Sequence, residues 1–315
     1  MSDVVLGVDV GGTRLKSGIV DRRGRLLAER IAPSEAERGP EALLRRLVAE
    51  AKRARPRAIG LGFPGAVDPK RGVVLLPGRL EGLEGWPIVP RLAAATGLPV
   101  VADNDARLAM RAEAAYGLAR GERWALSVTL GTGVGSCPLL DGRVLIDPHF
   151  QFGTQMSHIV MRSRDGRLCF TGARGTAEML CSATALASQV RDGLARGIPS
   201  RLAPLWRKDP HAVDCEAVMD AAAKKDRLAL DELRVWTEHL GWFLVSAIHA
   251  YAPRIVILSG GATHGARLFL PALRRQVKAH LFRWPKKSAP PIVVSKMRDH
   301  AGVLGAAALA WESLA

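Results

Sequence analysis

Gly7-Val8-Asp9-Val10-Gly11-Gly12-Thr13-Arg14-Leu15-Lys16 is the stretch that decides the fold. An apolar run breaks on two glycines and resumes in a second strand carrying Lys16, which reads as a hairpin closed by a glycine turn. Phosphate is gripped by backbone N–H groups at close range, and only glycine lets a chain come that near. Gly11, Gly12 and Thr13 are therefore expected to offer free N–H groups at the end of the first strand. The pattern recurs at Thr129-Leu130-Gly131-Thr132-Gly133-Val134-Gly135-Ser136. Three glycines at alternating positions weaken a strand, so packing does not explain them. Between the two turns stands Asn104-Asp105. Two phosphate-gripping turns with one carboxylate between them are the parts of a phosphoryl-donor clamp and a base for its acceptor.

Outward from the first turn, 4–9, 15–20 and 25–31 read as a three-stranded meander. Pro40 opens a helical stripe of Leu43, Leu44, Leu47, Val48 and Ala51, with proline in the first turn. Ala58 to Phe63 is a buried strand ending in Pro64-Gly65, a helix from Val89 to Thr96 stops at Gly97, and Pro99 to Ala102 is a short strand. This alternation predicts an α/β protein with a mixed sheet and helices on its faces. The pattern restarts near Trp124 with a hairpin over 124–130 and 134–140 that turns again at Asp141-Gly142. Helices over 176–195 and 226–250 follow, with 196–212 a loop, then a strand from Arg254 to Ser259, Gly260-Gly261, and a helix beginning near Leu268. The two halves look like a duplicated unit.

At 315 residues the chain is long enough for two domains. No apolar run approaches the roughly 20 residues that span a bilayer, and Asp3 with the early glycines argues against a signal peptide. Cys137, Cys169, Cys181 and Cys215 are far apart without Cys-x-x-Cys spacing, as reduced thiols of a cytoplasmic protein would be. Against 30 acidic residues stand 45 basic ones, a net charge of +15. They are scattered rather than blocked, so neither specific nucleic-acid binding nor a membrane partner is expected.

Asp9 is costly in an apolar strand unless it is paired or lies near a metal. Magnesium held through water and donor phosphates would supply that partner. Gly260-Gly261 follows a buried strand and precedes a helix, a place for a nucleotide base or ribose.

Together these motifs resemble the sugar kinases of the ROK (repressor, open reading frame, kinase) family, within the actin-like ATPase superfamily. The match includes 9–16, Gly-Phe-Pro-Gly-Ala-Val-Asp-Pro at 62–69, Asn104-Asp105-Ala106, 131–136, a partial signature at 153–178, Ser-Gly-Gly-Ala at 259–262 and Asp-His-Ala-Gly-Val-Leu-Gly-Ala at 299–306. The resemblance implies a two-domain, ribonuclease H-like fold with a cleft between the domains. Residues 1–120 and a C-terminal helix at 300–315 would form the first domain, and 121–299 the larger second. It implies ATP- and Mg2+-dependent phosphorylation of a hexose or hexose derivative, glucokinase-like, with Asp105 as general base. Gly65, Asn104, Asp105, Gln155, His158 and Glu178 would meet the sugar. Asp9, Gly11, Gly12, Thr13, Lys16, Gly131, Thr132, Gly133, Gly260 and Gly261 would meet the nucleotide and, through Asp9, the metal. A homodimer is the state the family suggests.

The departures are specific. The family's Glu-x-Gly-His is Gln155-Met156-Ser157-His158 here, and of the three cysteines in Cys-x-Cys-Gly-x-x-Gly-Cys-x-Glu only Cys169 remains, with Thr171 and Thr176 at the other two places. A structural zinc site wants four N or S ligands, so none is expected. Gln155 adds an N–H2 donor where a glutamate offers only acceptors, which marks it as a specificity determinant. Two other readings stay open. One is a polyphosphate-dependent kinase. The other is a sugar-binding regulator with little turnover, against which Asp9 leaves no room before it for a DNA-binding module and Asp105 is retained.

Overall fold

In the computed structural model, which describes residues 3–76, 80, 82–147, 155–282 and 289–315, the opening apolar run is strand β1 (Val4–Val10). It turns through the glycines into β2 (Arg14–Asp21), which pairs in turn with β3 (Leu26–Pro33). Helix α1 (Pro40–Ala54) leads to β4 (Ile59–Phe63), the two-stranded ribbon β5 (Ala66–Asp68) and β6 (Val73–Leu76), and α2 (Ile88–Thr96). Then come β7 (Val100–Asn104) and α3 (Asp105–Tyr116). The main sheet runs β3-β2-β1-β4-β7, antiparallel on the β3 side and parallel from β1 onward.

The second half repeats that design. Strands β8 (Ala125–Leu130), β9 (Val134–Leu140) and β10 (Arg143–Val144) form its meander. Helices α4 (Ala177–Cys181), α5 (Ala183–Ala195), α6 (Ala203–Lys208), α7 (Cys215–Ala223) and α8 (Arg227–Tyr251) follow. Strand β11 (Ile255–Ser259), α9 (Ala266–His280), β12 (Ile292–Val294) and α10 (Ala301–Glu312) complete the chain. The sheet order is β10-β9-β8-β11-β12, the same antiparallel-then-parallel sequence as in the first sheet. The expected duplication is therefore present in the topology.

The chain divides into two compact units. One is Met1–Arg123 with Leu139–Thr154 and Asp299–Ala315, the other Trp124–Pro138 with Gln155–Arg298. Leu139–Thr154 thus groups with the first unit, where β10 lies beside α3, while the family resemblance implied a second domain of 121–299. In the first unit one face of the sheet buries Leu6, Val8, Val10, Leu61 and Phe63 with Leu43 and Leu47 of α1. The other face carries α10, which is apolar on nearly every side, as a helix buried all round must be. It lies very close: a Cβ on Gly7 would sit 2.1 Å from the Val303 carbonyl oxygen, and one on Gly60 would sit 1.8 Å from that of Ala306. In the second unit Trp236 of α8 is the centre of the core, edge-on to Phe269 at 5.1 Å.

Two local expectations are corrected. The helix foreseen over 176–195 breaks at Ser182. That residue is extended (φ −73, ψ 161), its hydroxyl caps the Ala185 amide at 3.0 Å, and its carbonyl takes the Trp236 indole N–H at 3.0 Å. A serine that finds both partners outside the helix ends one helix and starts the next. Segment 196–212, foreseen as a loop, holds α6 and a 3-10 turn at Pro210–Ala212, with Pro204 in the first turn of α6. None of the described helices is long and apolar enough to cross a membrane.

Candidate active site

Asn104 ends β7 and Asp105 begins α3, so a strand end and a helix start fix the pair together. Asn104 is the N-cap: its Oδ1 accepts from the amides of Ala106 (3.0 Å) and Arg107 (3.2 Å), two donors a helix start would otherwise leave unmet. Its Nδ2 donates to the Gly65 carbonyl at 2.7 Å and to Asp105 Oδ1 at 2.9 Å. The Ala106 amide donates to the same Asp105 oxygen at 2.7 Å. Asp105 is thereby oriented through one oxygen. Gly65 sits at φ 80, which favours glycine.

Asp105 is exposed to solvent, yet protein crowds it on most sides. That desolvation, and then the Asp9 carboxylate, push its pKa up to about 6 against the pull of two hydrogen bonds and Arg107. Register explains why Asp9 is felt. The ladder aligns Lys16, Asp9, Gly62 and Asp103 in one row across β2, β1, β4 and β7. Burial raises Asp9 above the ordinary carboxylate range, with Lys16 opposing. At the start of α10 a Cβ on Gly302 would lie 2.7 Å from Asp9 Oδ2, so only glycine fits against that carboxylate.

The two glycine turns share one detail. Gly11 N–H closes its hairpin on the Arg14 carbonyl at 2.8 Å, and Gly131 N–H closes the other on Gly133 at 3.0 Å. The expectation that Gly11 would present a free N–H is corrected: hairpin closure takes it. The amides of Gly12, Thr13, Thr132 and Gly133 donate to nothing among the described residues. Lys16 stands on β2 directly across from Asp9.

Within the second unit, Glu178 of α4 meets the second turn. Val134 N–H donates to Glu178 Oε2 at 3.2 Å, and a Cβ on Gly133 would lie 2.3 Å from that oxygen. Sequence reasoning assigned Glu178 to the sugar and missed this contact, since nothing in the spacing 133 to 178 announces it. Gln155 precedes the 3-10 turn Met156–His158 and caps nothing with its side chain. His158 Nδ1 lies 3.9 Å from Cys169 Sγ, and Phe170 stands edge-on to its ring at 5.4 Å. The hydroxyl of Thr176 is buried and finds no partner among the described residues, whereas Thr171 is exposed. Among the described residues no three His, Cys, Asp or Glu side chains gather as a metal would need. One imidazole and one thiol do not make a tetrahedral zinc site. Gly153 and Thr154, the start of the partial signature, lie outside the described residues.

Gly260 and Gly261 differ in kind. Gly260 (φ 88) is forced, because a Cβ there would meet Leu130 O at 2.6 Å. Gly261 faces open space and edges a cavity of about 110 Å³ lined by Glu216, Met219, Asp220, His264, Arg267 and Leu268, among others. Two further residues were missed in the sequence. Asp103 and Arg107, four apart and flanking Asn104-Asp105, form a buried ion pair, and that spacing was the available signal.

The pattern of the ROK family matches residues 5–313 of the chain. The glucokinase of Thermotoga maritima is 29% identical over 317 residues, covering 98% of each protein. The N-acetylmannosamine kinase of Salmonella typhimurium is 29% identical over 307 residues, covering 97% of each. Among solved structures, a ROK family glucokinase from Streptomyces griseus in complex with glucose and AMPPNP aligns at a TM-score of 0.84 and 27% identity, over 98% of this chain and 99% of that one.

Proposed function

This chain belongs to the ROK family, and on that premise we propose that it transfers the γ-phosphoryl group of ATP to a hydroxyl of a hexose or hexose derivative. The reading rests on one observation: Asp105, oriented by Asn104 and the Ala106 amide, has its pKa raised to about 6. A carboxylate so placed is ionised at neutral pH yet basic enough to take a proton. As the sugar oxygen attacks the γ-phosphorus, Asp105 receives its hydrogen and ADP leaves with the bridging oxygen.

Asn104, the Gly65 turn, His158, Glu178 and Gln155 would contact the sugar, with Gln155 supplying a donor that a glutamate lacks. The amides of Gly12, Thr13, Thr132 and Gly133, with Lys16, would cradle phosphate, and the cavity at Gly261 would take the base. Asp9 is the carboxylate that would hold Mg2+ through water, and its fit is chemical: burial raises Asp9 and Asp9 in turn raises Asp105, so a cation beside Asp9 would relieve both. Bound there, Mg2+ would neutralise phosphate charge. Glutamate-to-glutamine at 155 and the two missing thiols separate this chain from the family pattern, so a structural zinc is not part of the proposal.

An ADP-release assay across glucose, mannose, N-acetylglucosamine and N-acetylmannosamine, with ATP and polyphosphate as alternative donors, tests the reading. Sugar-dependent ADP release supports it. Binding of a sugar with no turnover from either donor would replace it with the regulator, and turnover from polyphosphate alone would change the donor.

A further inference from the structure

We propose that Arg107 is a positioning residue for the phosphoryl acceptor, tying the turn that starts at Gly65 to the strand end and helix start that carry Asn104 and Asp105. The inference rests on the reading of Asn104 and Asp105 just given. Arg107 is 1% exposed and Asp103 is fully buried. The guanidinium Nε donates to Asp103 Oδ1, and Nη2 donates to the Val67 carbonyl of β5 at 3.0 Å. The same Asp103 oxygen accepts the Asn104 amide at 2.8 Å, while Asn104 Nδ2 reaches the Gly65 carbonyl at 2.7 Å. These bonds close a ring. Asn104 holds Gly65, the chain runs two residues to Val67, Val67 is held by Arg107, and Arg107 returns through Asp103 to Asn104.

Stability does not account for an arginine in this place. A buried ion pair is at best a weak stabiliser relative to apolar residues of the same volume. Arg107 also lies in the first turn of α3, where the helix dipole disfavours a cation. What the guanidinium provides is a rigid planar fork whose spread donors, Nε and Nη2, serve a carboxylate and a backbone carbonyl in fixed directions; a lysine ammonium is a single point on a flexible stem, and methionine has no donor. Asp103 is steadied from its other side by Arg111, whose Nε is 3.4 Å from Oδ2 and whose Nη1 is 2.6 Å from Glu312 of α10. The ring is therefore anchored to the helix that also faces Asp9 through Gly302. Arg107 adds one electrostatic effect, drawing Asp105 downward against the push from Asp9.

The test compares Arg107→Lys, Arg107→Met and the double variant Asp103→Asn/Arg107→Met. Arg107→Met alone strands a buried carboxylate and is expected to lose stability. The double variant removes both charges and is expected to melt near the wild type while its hexose KM rises at least tenfold and its ATP KM stays within twofold. A wild-type hexose KM in a folded double variant overturns the proposal. If the double variant does not fold, Arg107→Lys decides: the ion pair survives, the hold on Val67 does not, and an unchanged hexose KM is again the refuting result. Should the wild type phosphorylate no hexose, the proposed function fails by itself. A crystal structure of the double variant, or of Arg107→Lys where the double does not fold, then judges Arg107. A displaced Gly65–Val67 turn supports the role, and an unmoved turn with the Asn104–Gly65 bond intact rejects it.

Discussion

The two glycine turns are built alike and finished differently. Each closes its hairpin with the amide of its first glycine and leaves the next two amides without a partner among the described residues. Beside the first turn the carboxylate is Asp9, in the strand itself, raised by burial and facing Asp105. Beside the second it is Glu178, brought from α4 and already hydrogen-bonded to Val134. Duplication copied the backbone device, while the chemistry was added to each copy separately. The first unit carries carboxylates that want a proton or a cation, and the second carries a grip satisfied by its own chain.

The largest test of that division is Asp105→Asn. The amide can still accept from Ala106 and Asn104, so the fold and sugar affinity should survive. Turnover should fall by about 10²–10⁴-fold, or roughly 3–5 kcal/mol of barrier. Steady-state kinetics with the preferred sugar check it, and a near-normal kcat would move the base elsewhere. In the wild type, kcat/KM should lose activity as pH falls through about 6, where Asp105 takes up its proton.

The second test is Gly133→Ala. A Cβ placed 2.3 Å from Glu178 Oε2 moves the end of that flexible side chain and breaks its hydrogen bond to Val134, at a cost of about 0.5–1.5 kcal/mol. Glu178→Ala should be mild alone and should relieve most of the Gly133→Ala penalty in a double-mutant cycle. Additive melting shifts would mean that the contact between them is incidental.

The comparison also explains what could be read in the sequence. The hairpins and the duplication were legible, because glycine turns and apolar strands are local signals, whereas the parallel partners that join β1 to β4 and β8 to β11 are set by tertiary packing. The pair Asn104-Asp105 also stood out, as a lone carboxylate between two glycine turns, but the cap that Asn104 places on α3 shows only in the hydrogen bonds to Ala106 and Arg107. The bond between Glu178 and Val134 was not legible, because it joins residues 44 apart through a short helix that Ser182 separates from α5. The pair Asp103–Arg107 was half visible: its spacing was in the sequence, but a charged pair at that spacing is ordinarily a solvated helix face. The sequence placed Gly11 among the phosphate donors, and only hydrogen-bond geometry reveals that its amide is occupied.

Asp9→Asn is a smaller test and cuts in two directions. A native carboxyl raised above its unfolded value opposes folding once the unfolded chain has ionised, so its cost is absent well below the ordinary carboxylate range and grows as pH rises through it. The neutral variant should therefore melt a few degrees above the wild type at pH 7 to 8 and level with it near pH 3. It should also lower the acid limb of kcat/KM, since the second-largest cause raising Asp105 is removed. More Mg2+ should be needed for half-maximal rate. A variant that melts below the wild type at pH 8 would mean that Asp9 is stabilised in the resting protein by a partner.

The smallest expected effect on stability is the most discriminating. Gly261 has no atom of the described residues within 4 Å of where its Cβ would be, and its backbone lies outside the left-handed region, so none of them forbids a side chain. Gly260 beside it is forced by Leu130. Gly261→Ala should then leave the melting temperature within about 1–2 °C, since a surface change away from packed or strained sites is worth no more than about 0.5 kcal/mol. If the bare position is kept for a nucleotide lying over it, the same variant should raise the ATP KM several-fold and leave the hexose KM unchanged. Unchanged kinetics would make Gly261 a tolerated glycine and move the base elsewhere. A loss of stability would contradict the open space itself. Only the pairing of an unperturbed fold with a weakened donor site marks a glycine held open for a ligand rather than for the chain.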